Sequence, residues 1–398
     1  MMSLLEALIA VPVFFLLALS GFFALEVLGA LLPLRRATTA PAGRLAVVVP
    51  AHNEGAHLLP TLSDIKAQLR ESDRLIVVAD NCDDDTAAIA MRAGAACLIR
   101  KDPERLGKGY ALQFALDKLR EDSPAVVMFI DADCRLAEGA IARIAGAAAA
   151  AGRPAQGLYL IKAGEDAPAR RRVAEFAWLV MNRVRMRGLF TLFDVCRTTG
   201  SGLALPWKIA ASLDLASEEI VEDLALTVHL LAEDAAPVFV EDALISSEFP
   251  HSDEGAVAQH ARWEHGSLRI ALRRAPGMFV NAVGEADISR AAMALDIAIP
   301  PLTLFATILS GAFVAGLFLA ALHMELPFDL ASSALGVFAV AILIAWLVFG
   351  RSALPPSALG AIAGYALDKV KVYGRNARET TKRWTRADRS GPESGHDG

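Results

Sequence analysis

The sequence predicts an α/β domain built on a mostly parallel sheet, with membrane-crossing helices before and after it. Residues 44–165 alternate between short apolar runs and helical patterns, which is typical of a parallel sheet covered by helices. Lys and Arg are absent before Arg35 and again across residues 291–350 of this 398-residue chain, which is 54% hydrophobic. That composition excludes a disordered chain and a disulfide scaffold, and the net charge of −6 gives no reason to expect a nucleic-acid partner.

The first apolar run, residues 7–34, predicts a membrane anchor. Ser20 and Glu26 are its only polar side chains, and it exceeds the roughly 20 apolar residues that a spanning helix needs. A cleaved signal peptide would begin with basic residues, and none precede this run. We therefore expect a retained anchor over residues 1–36.

Two further spans are expected near residues 297–322 and 331–350, on either side of a short loop that contains charged residues. Pro300 and Pro301 predict a broken start to the first of them, because proline interrupts helical hydrogen bonding. The apolar stretch 353–367 is short for a span and carries two prolines, so we expect it to be interfacial or re-entrant.

Basic residues set the expected orientation. All 39 Lys and Arg residues fall in segments 35–290 and 351–398, which the positive-inside rule places in the cytoplasm. The prediction is a multi-pass protein of the inner (plasma) membrane whose main domain is cytoplasmic. The expected units are an anchor at 1–36, the main domain at 37–265, interfacial helices at 266–296, two spans at 297–350, and an interfacial segment with a basic, partly disordered tail at 351–398.

The strand ends of the α/β region are the expected place for chemistry, because ligands of parallel sheets bind beyond the carboxyl ends of the strands. Acids follow three of these ends, at Glu54, at Asp80 and at the pair Asp131 and Asp133. The sequence contains no glycine-rich dinucleotide motif, P-loop, zinc-ligand pattern or C-x-x-C pair. The expected strands are Leu45–Val49, Leu75–Ala79, Ala96–Arg100 and Ala125–Ile130. The expected helices are Leu58–Leu69, Thr86–Ala93, Lys108–Arg120 and Ala137–Ala151.

Asp131 and Asp133 form a D-x-D pair after an apolar strand. Two carboxylates at a strand end can approach one divalent cation, and that cation can bridge the two phosphates of a nucleotide diphosphate. D-x-D also occurs by chance, and a helix N-cap is the alternative. Lys108, between two glycines, can contact a phosphate or be a solvated turn lysine.

Two later groups are candidates as well. Glu222 and Asp223 precede an apolar helix, where acids also offset the helix dipole. Gln259, Arg262 and Trp263 share one face of an expected helix. Arg and Trp also serve as anchors at membrane surfaces, so the plainer alternative stays open for this group.

Taken in order, these motifs resemble glycosyltransferase family 2. The resemblance covers about residues 45–265 and is to the membrane-bound branch that holds cellulose, chitin, hyaluronan and poly-N-acetylglucosamine synthases and ceramide glucosyltransferase. It implies a GT-A fold for the main domain. The motifs are Pro-Ala-His-Asn-Glu ending at Glu54, Ala-Asp80-Asn-Cys followed by Asp84-Asp85-Thr86, Gly107-Lys108-Gly109, Asp131-Ala132-Asp133, Thr199-Gly200-Ser201-Gly202, Glu222-Asp223, and Gln259-x-x-Arg262-Trp263.

The resemblance implies a role for each residue on the donor side. Asp80 would hold the uracil of a nucleotide sugar, with Glu54 near the base and ribose. Asp131 and Asp133 would bind the diphosphate through Mg²⁺ or Mn²⁺, and Lys108 would lie close to the nucleotide.

The resemblance also implies an acceptor side. Asp223, beside Glu222, would be the general base that takes the proton of the acceptor hydroxyl. Gln259, Arg262 and Trp263 would close over the diphosphate and the acceptor. Thr199, Gly200, Ser201 and Gly202 would line the acceptor side. One base and one in-line attack invert the anomeric carbon, whereas retention would need a second carboxylate as nucleophile.

The sequence therefore predicts a membrane-bound inverting hexosyltransferase that moves a sugar from a UDP-sugar to a glycan acceptor for extracellular or cell-envelope polysaccharide. Single-sugar transfer to a membrane lipid is one alternative, and a non-catalytic, nucleotide-sensing membrane scaffold is another. Three spans are few for secretion of a chain, so export would need a partner subunit or self-assembly. Asp83 adds an acid where the family pattern has a neutral residue. A transporter is disfavoured, because Glu26 and Asp296 are isolated acids in apolar sequence.

Overall fold

The computed structural model describes residues 4–34, 39–40, 42–164, 166–216, 222–249 and 264–366. Its strands are β1 Leu45–Ala51, β2 Arg74–Asp80, β3 Ala96–Arg100, β4 Val126–Phe129, β5 Arg135–Leu136, β6 Ala155–Lys162, β7 Leu203–Pro206 and β8 Val238–Glu248. Its helices are α1 Leu4–Leu31, α2 Leu58–Lys66, α3 Thr86–Arg92, α4 Lys108–Leu119, α5 Ala140–Ala151, α6 Ala169–Leu179, α7 Met186–Phe193, α8 Trp207–Ala210, α9 Glu222–Ala232, α10 at 264–273, α11 Ala275–Gly284, α12 Ile288–Ala298, α13 Leu302–Ala321 and α14 Leu326–Ala345. Two π-helical segments, Val180–Arg185 and Trp346–Gly350, continue α6 and α14.

Within the described residues, eight strands form one sheet in the order β3-β2-β1-β4-β7-β6-β8-β5. The first four strands are parallel to one another. β7 pairs antiparallel with both β4 and β6, β8 is parallel to β6, and β5 is antiparallel to β8. The prediction of an α/β fold on a mostly parallel sheet is confirmed.

The elements expected from the sequence lie at β1 to β4 and at α2 to α5, with small differences at their ends. α2 ends at Lys66 and not at Leu69. α5 begins at Ala140 and not at Ala137, because Gly139 precedes it with a φ of +71°, a left-handed conformation that a helix does not contain. β5, β6, β7 and β8 lack a counterpart among the expected elements, and they form the second half of the sheet.

The central strands are buried on both faces. On β1, Val47 and Val49 belong to an apolar cluster with α2 and α5, while Ala46 and Val48 pack with α4 on the opposite face. This double burial explains why β1 is an unbroken apolar run without polar alternation. It also leaves the carboxyl ends of the strands as the part of the sheet that is open to a ligand.

Among the described residues, three helices are long and apolar enough to cross a membrane, namely α1, α13, and α14 with its continuation to Gly350. α14 packs against both of the others. The backbone N–H of Leu326 donates to Glu6 Oε1 at 3.2 Å, so α1 and α14 begin at the same end of the bundle. Pro300 and Pro301 lie between the end of α12 and the start of α13.

The sheet domain is joined to α1 through α7. A Cβ atom built on Gly188 of α7 would lie 1.8 Å from the carbonyl oxygen of Glu26, so the two helix backbones are in direct contact. Arg187 donates to the carbonyls of Ala30 and Leu32 at 2.7 and 3.0 Å. These carbonyls have no partner within the helix, and a cation there is favourable at a helix C-terminus.

Candidate active site

The acids expected at the strand ends converge at one edge of the sheet. β1 lies between β2 and β4, with Ala51 in register with Ala79. Asp80 is the last residue of β2, and the D-x-D pair follows β4. The loop that holds Glu54 leaves β1 between them. The structure therefore brings Glu54, Asp80 and the D-x-D pair to the same end of adjacent parallel strands.

Asp80 is bound by an arginine that sequence reasoning missed. Arg100 Nη1 donates to Asp80 Oδ1 at 2.6 Å, and the guanidinium of Arg100 also lies over the ring of Tyr110. Asn81 donates to the same carboxylate oxygen at 3.1 Å. Burial raises the pKa of Asp80, and the charge and hydrogen bond of Arg100 act in the opposite direction. The sequence held one indication of this pair, because Arg100 is the last residue of the expected strand that follows the strand of Asp80 in the chain.

The loop after β1 is fixed to the loop after β2. His52 Nδ1 is 2.7 Å from the carbonyl oxygen of Asp80, and Gly55 N–H donates to Thr86 Oγ1 at 2.8 Å. The carboxylate of Asp84 accepts from the N–H of Thr86, the first residue of α3, at 3.0 Å, whereas the N-cap residue Asp85 makes no side-chain cap hydrogen bond. Glu54 is therefore carried by a loop with a defined conformation.

The D-x-D pair forms a candidate cation site. One ligand atom each from Asp131, Asp133 and Cys134 lie within 4.8 Å of one another. The two carboxylates are partly exposed oxygen donors, which suit Mg²⁺ or Mn²⁺. Burial raises the pKa of the Cys134 thiol well above its usual value, and its sulfur is 3.2 Å from Ser201 Oγ. The fitting ligands are the carboxylates and not the neutral thiol.

Lys108, the first residue of α4, links the D-x-D pair to the 198–202 loop. Its ammonium forms an ion pair with Asp131 and donates to the carbonyl oxygen of Gly200 at 2.7 Å. Gly200 has a φ of +73°, which side-chain-bearing residues rarely adopt. The backbone N–H of Asp131 donates to Ser201 Oγ at 3.1 Å, so the pair and the loop are joined twice.

Gln156 forms hydrogen bonds with the backbone of the 198–202 loop. Its Oε1 accepts from the N–H of Thr199 at 3.0 Å, and its Nε2 donates to the carbonyl of Ser201 at 2.7 Å. Gly202 permits close packing, because a Cβ atom there would be 2.2 Å from Ile245 Cδ1. All four residues expected on the acceptor side are thus part of one ordered loop.

Asp223 lies in the first turn of α9 and faces the same cavity as Lys108. The cavity has a volume of about 330 Å³, and Gly200, Asp223 and Lys108 are among the residues that line it. Burial raises the pKa of Asp223, whereas the N–H of Leu224 and the charges of Lys108 and Arg197 lower it. The cavity thus brings a carboxylate and an ammonium group together, beside the candidate cation site.

Some expected residues are not placed. Gln259, Arg262 and Trp263 lie outside the described residues, and so does the side chain of Glu222. Their roles stay predictions.

Two family models match the sequence. The model of glycosyl transferase family 2 matches residues 46–203, and the model of glycosyl transferase family group 2 matches residues 126–350, which is more than half of the chain. No curated protein matches the sequence.

A solved structure of similar length shows the same fold. A mannosyltransferase from Pyrobaculum calidifontis in complex with GDP-Man and Mn²⁺ is 16% identical, covers 93% of this chain and 99% of its own, and has a TM-score of 0.53. A glucosyl-3-phosphoglycerate synthase from Mycobacterium tuberculosis in complex with Mn²⁺, UDP and glucosyl-3-phosphoglycerate is 22% identical over 58% of this chain and 88% of its own. Its TM-score of 0.39 is too low to bear on the fold.

Proposed function

Because the chain belongs to glycosyltransferase family 2, we propose that it is a membrane-bound inverting enzyme that moves a sugar from a UDP-sugar to a glycan acceptor for extracellular or cell-envelope polysaccharide. The observation that carries this proposal is the position of Lys108. It bridges Asp131 of the candidate cation site and Gly200, and it lines the same cavity as Asp223. A donor diphosphate and an acceptor hydroxyl can therefore meet in one cavity.

On the donor side, Asp80 and Arg100 would contact the nucleobase as a pair, with Glu54 near the ribose. Asp131 and Asp133 would hold Mg²⁺ or Mn²⁺, and the bound cation supplies positive charge against the diphosphate. Lys108 would exchange its contact with Asp131 for one with a phosphate oxygen. Its backbone partner, the Gly200 carbonyl, keeps the ammonium at the site.

On the acceptor side, Asp223 would take the proton of the attacking hydroxyl, which is otherwise a poor nucleophile. The loop of residues 199–202 would line this side, and Glu222 would stand beside the base. Gln259, Arg262 and Trp263 would close over the diphosphate and the acceptor. A single attack assisted by one base inverts the anomeric carbon and gives a β-linkage from an α-linked donor.

The membrane location rests on the three apolar helices and on the charge distribution. The positive-inside rule favours a cytoplasmic sheet domain at the inner (plasma) membrane. Leu272, Val280, Val283 and Ile288 are 61 to 77% exposed along α10 to α12, which supports an interfacial position for residues 266–296. An apolar surface of this kind can rest in the headgroup region beside the spans.

A lipid acceptor for single-sugar transfer is the second candidate, and a further cavity favours it. This cavity of about 100 Å³ is lined by Leu224, next to the proposed base, and by Pro300, Pro301 and Leu302 at the start of α13. It thus lies between the catalytic carboxylate and an apolar helix. An acceptor held in the membrane could present its headgroup to Asp223 by this route.

Purified membranes that contain the protein test the proposal. UDP- and GDP-sugars are supplied in turn with Mg²⁺ or Mn²⁺, nucleoside diphosphate release is followed, and the products are sized. We expect release from a UDP-sugar and a product longer than one added sugar. Release with only mono-glycosylated lipid would replace polymer synthesis with the second candidate. A protein that binds the nucleotide but neither releases diphosphate nor alters any cellular glycan would be a sensing scaffold, and the proposal would be wrong.

A further inference from the structure

Four charged side chains, three of them buried and Arg197 partly buried, form a continuous chain of ion pairs from α1 to the residue that precedes the 198–202 loop. Arg185 Nε donates to Glu26 Oε2 at 2.7 Å, and Arg185 Nη2 donates to Asp296 Oδ1 at 2.7 Å. Arg197 Nε lies 3.1 Å from Asp296 Oδ2 as an ion pair without hydrogen-bond geometry. Three of these side chains are at most 2% exposed, and Arg197 is 13% exposed. Acids that are isolated in the sequence are thus neutralised by arginines in the fold.

This chain of ion pairs joins elements that are far apart in sequence. Glu26 lies on α1, Arg185 ends the first π-helical segment, and Asp296 lies on α12. Arg197 also donates to the carbonyl oxygen of Met181 in the same π-helical segment at 2.6 Å. A π-helix shifts its backbone hydrogen bonds and is frequent at functional sites.

The loop continues the connection to the proposed catalytic base. Thr198 follows Arg197, and its Oγ1 donates to the carbonyl oxygen of Asp223 at 2.6 Å. The N–H of Thr198 donates to Thr227 Oγ1 at 2.9 Å, one turn further along α9. Thr198 is 3% exposed and Thr227 is fully buried. Apart from the peptide bond between Arg197 and Thr198, the links between α1 and the first turn of α9 are therefore polar contacts of buried or partly buried groups.

Burying charged side chains removes them from water, which lowers the stability of the fold in a way that burying apolar side chains would not. Replacing a buried ion pair by apolar residues of similar volume is often neutral or stabilising, whereas removing one partner is strongly destabilising. The ion pairs are therefore poorly explained as a source of stability. They do fix the relative position of the helices that they connect, because each charge needs its partner.

We propose that the ion-pair chain Glu26–Arg185–Asp296–Arg197 is a positioning device that sets the 198–202 loop and the carboxylate of Asp223 relative to the apolar anchor helix. Arg197 and Asp296 are then positioning residues and not catalytic ones. The inference rests on the proposed function insofar as Asp223 is the base. It adds that the geometry of the site depends on contacts made by α1, outside the sheet domain.

The first test needs no turnover. Hydrogen–deuterium exchange of the full chain in detergent reports on the amides of residues 198–202. Arg197→Met and Asp296→Asn should raise exchange there at least 10-fold, because the loop loses its connection to α12. Arg183→Met is the matched control. Arg183 lies in the same π-helical segment and pairs with Glu241, which does not reach the loop, so exchange at 198–202 should stay unchanged.

The second test separates positioning from folding. Thr198→Val removes the hydroxyl that donates to the Asp223 carbonyl and lies 3.0 Å from Thr227 Oγ1. It is close in volume, so it should fold and lower kcat about 10-fold with the donor KM unchanged. Thr198→Ser keeps the hydroxyl and should restore kcat. The charges of Arg197 and Lys108 lower the pKa of Asp223, whereas the charge of Asp131 raises it. Arg197→Met should therefore move the acid limb of the pH–kcat profile to higher pH. Arg197→Lys keeps the charge and should leave the limb in place.

The outcomes are distinguishable. The positioning device would be overturned if residues 198–202 exchanged at the wild-type rate in both Arg197→Met and Asp296→Asn. It would also be overturned if Thr198→Val kept the wild-type kcat. Either result would leave the proposed function standing. A wild-type protein without turnover on any nucleotide sugar would overturn the proposed function. The exchange measurement would then still decide whether the ion-pair chain holds the loop.

Discussion

Arg100 and Asp80 form a buried ion pair across the ends of two adjacent parallel strands, with Nη1 2.6 Å from Oδ1. The two residues are also register partners of β3 and β2, and their side chains are only 8 and 10% exposed. The carboxylate at this strand end therefore reaches the site with its orientation fixed and its charge balanced. Under the proposed function, the nucleobase meets a pair of residues and not a single aspartate.

Replacing Arg100 by Met should destabilise the protein by about 3 kcal/mol, because it leaves Asp80 buried without a counter-charge. Unfolding of the detergent-solubilised protein measures the change. The double variant Asp80→Asn/Arg100→Met should recover part of the loss, since no charge is then left unpaired. Arg105→Met is the control: Arg105 is 67% exposed and pairs with Asp102, and its removal should cost less than about 1 kcal/mol. Equal stability of the single and double variants would contradict the account.

Asp223→Asn should lower kcat by about 10²- to 10⁴-fold, the usual range for loss of a general base, without weakening nucleotide binding. Diphosphate release by membranes gives kcat, and calorimetry with UDP and Mn²⁺ gives the affinity. Glu233→Gln, an exposed acid just after the same helix, should leave both unchanged. Residual activity within a few-fold of wild type would show that another group takes the proton.

The pH dependence of the activity should show that the proposed base has a raised pKa. The carboxylate of Asp223 must be ionised to accept a proton, and burial raises its pKa. Activity should therefore be lost as the pH falls, and the loss should begin above the value near 4 that an exposed aspartate shows. The pH profile of kcat/KM measures the limb. His229→Gln is the control, because His229 is a second ionisable side chain that lines the same cavity. A limb that disappears in this variant would belong to the histidine.

Removal of divalent cations should abolish turnover, and Mn²⁺ should restore it. Asp133→Asn removes one of the two fitting carboxylates, so it should raise the Mn²⁺ concentration for half-maximal activity at least 10-fold. Asp83→Asn changes an exposed acid at the neighbouring strand end and should leave that concentration unchanged. Full activity of the wild type in excess EDTA would remove the role given to the D-x-D pair.

The sequence identifies the strand ends because local rules decide them. β1, β2 and β4 are short apolar runs buried on both faces. His52 follows β1, Asp80 ends β2, and Asp131 comes two residues after the end of β4. In a parallel sheet these ends must meet, so Asp80 and Asp131 could be assigned to one site without any structure. The D-x-D pair and Lys108 follow from the same argument, since the glycines around Lys108 mark a turn at the start of α4.

The partners of these residues could not be found in the same way. Arg100 pairs with Asp80 only because β3 is adjacent to β2, which is a property of the sheet order. Glu26 and Asp296 look isolated in the sequence, yet both bind Arg185. These contacts span more than 100 residues of sequence, and neither periodicity nor composition carries information about them. The second half of the sheet, β5 to β8, which mixes parallel and antiparallel pairs, lacks a sequence prediction for the same reason, because its strands pair through non-local contacts.

The contact between α1 and α7 offers a test of how α1 packs against the sheet domain. Gly188→Ala places a Cβ 1.8 Å from a backbone oxygen of α1, and neither backbone can yield without moving its helix. We expect a loss of about 1–3 kcal/mol, the usual cost of overpacking. Gly29→Ala places its Cβ 2.6 Å from the side chain of Leu192, which can rotate away, and 3.1 Å from the carbonyl oxygen of Gly188. Its nearest backbone contact is thus much longer than that of Gly188→Ala, so its cost should be smaller.

Gly21→Ala completes the series as a matched control on α1. A Cβ atom there meets nothing within 4 Å, and alanine is favoured over glycine inside a helix by about 0.5–1 kcal/mol. Thermal unfolding in detergent should therefore rank Gly21→Ala at or above wild type, Gly29→Ala below it, and Gly188→Ala lowest. If Gly188→Ala matched Gly21→Ala, α7 would not pack on α1 as described. The ion pair between Glu26 and Arg185, which needs that packing, would lose its basis as well.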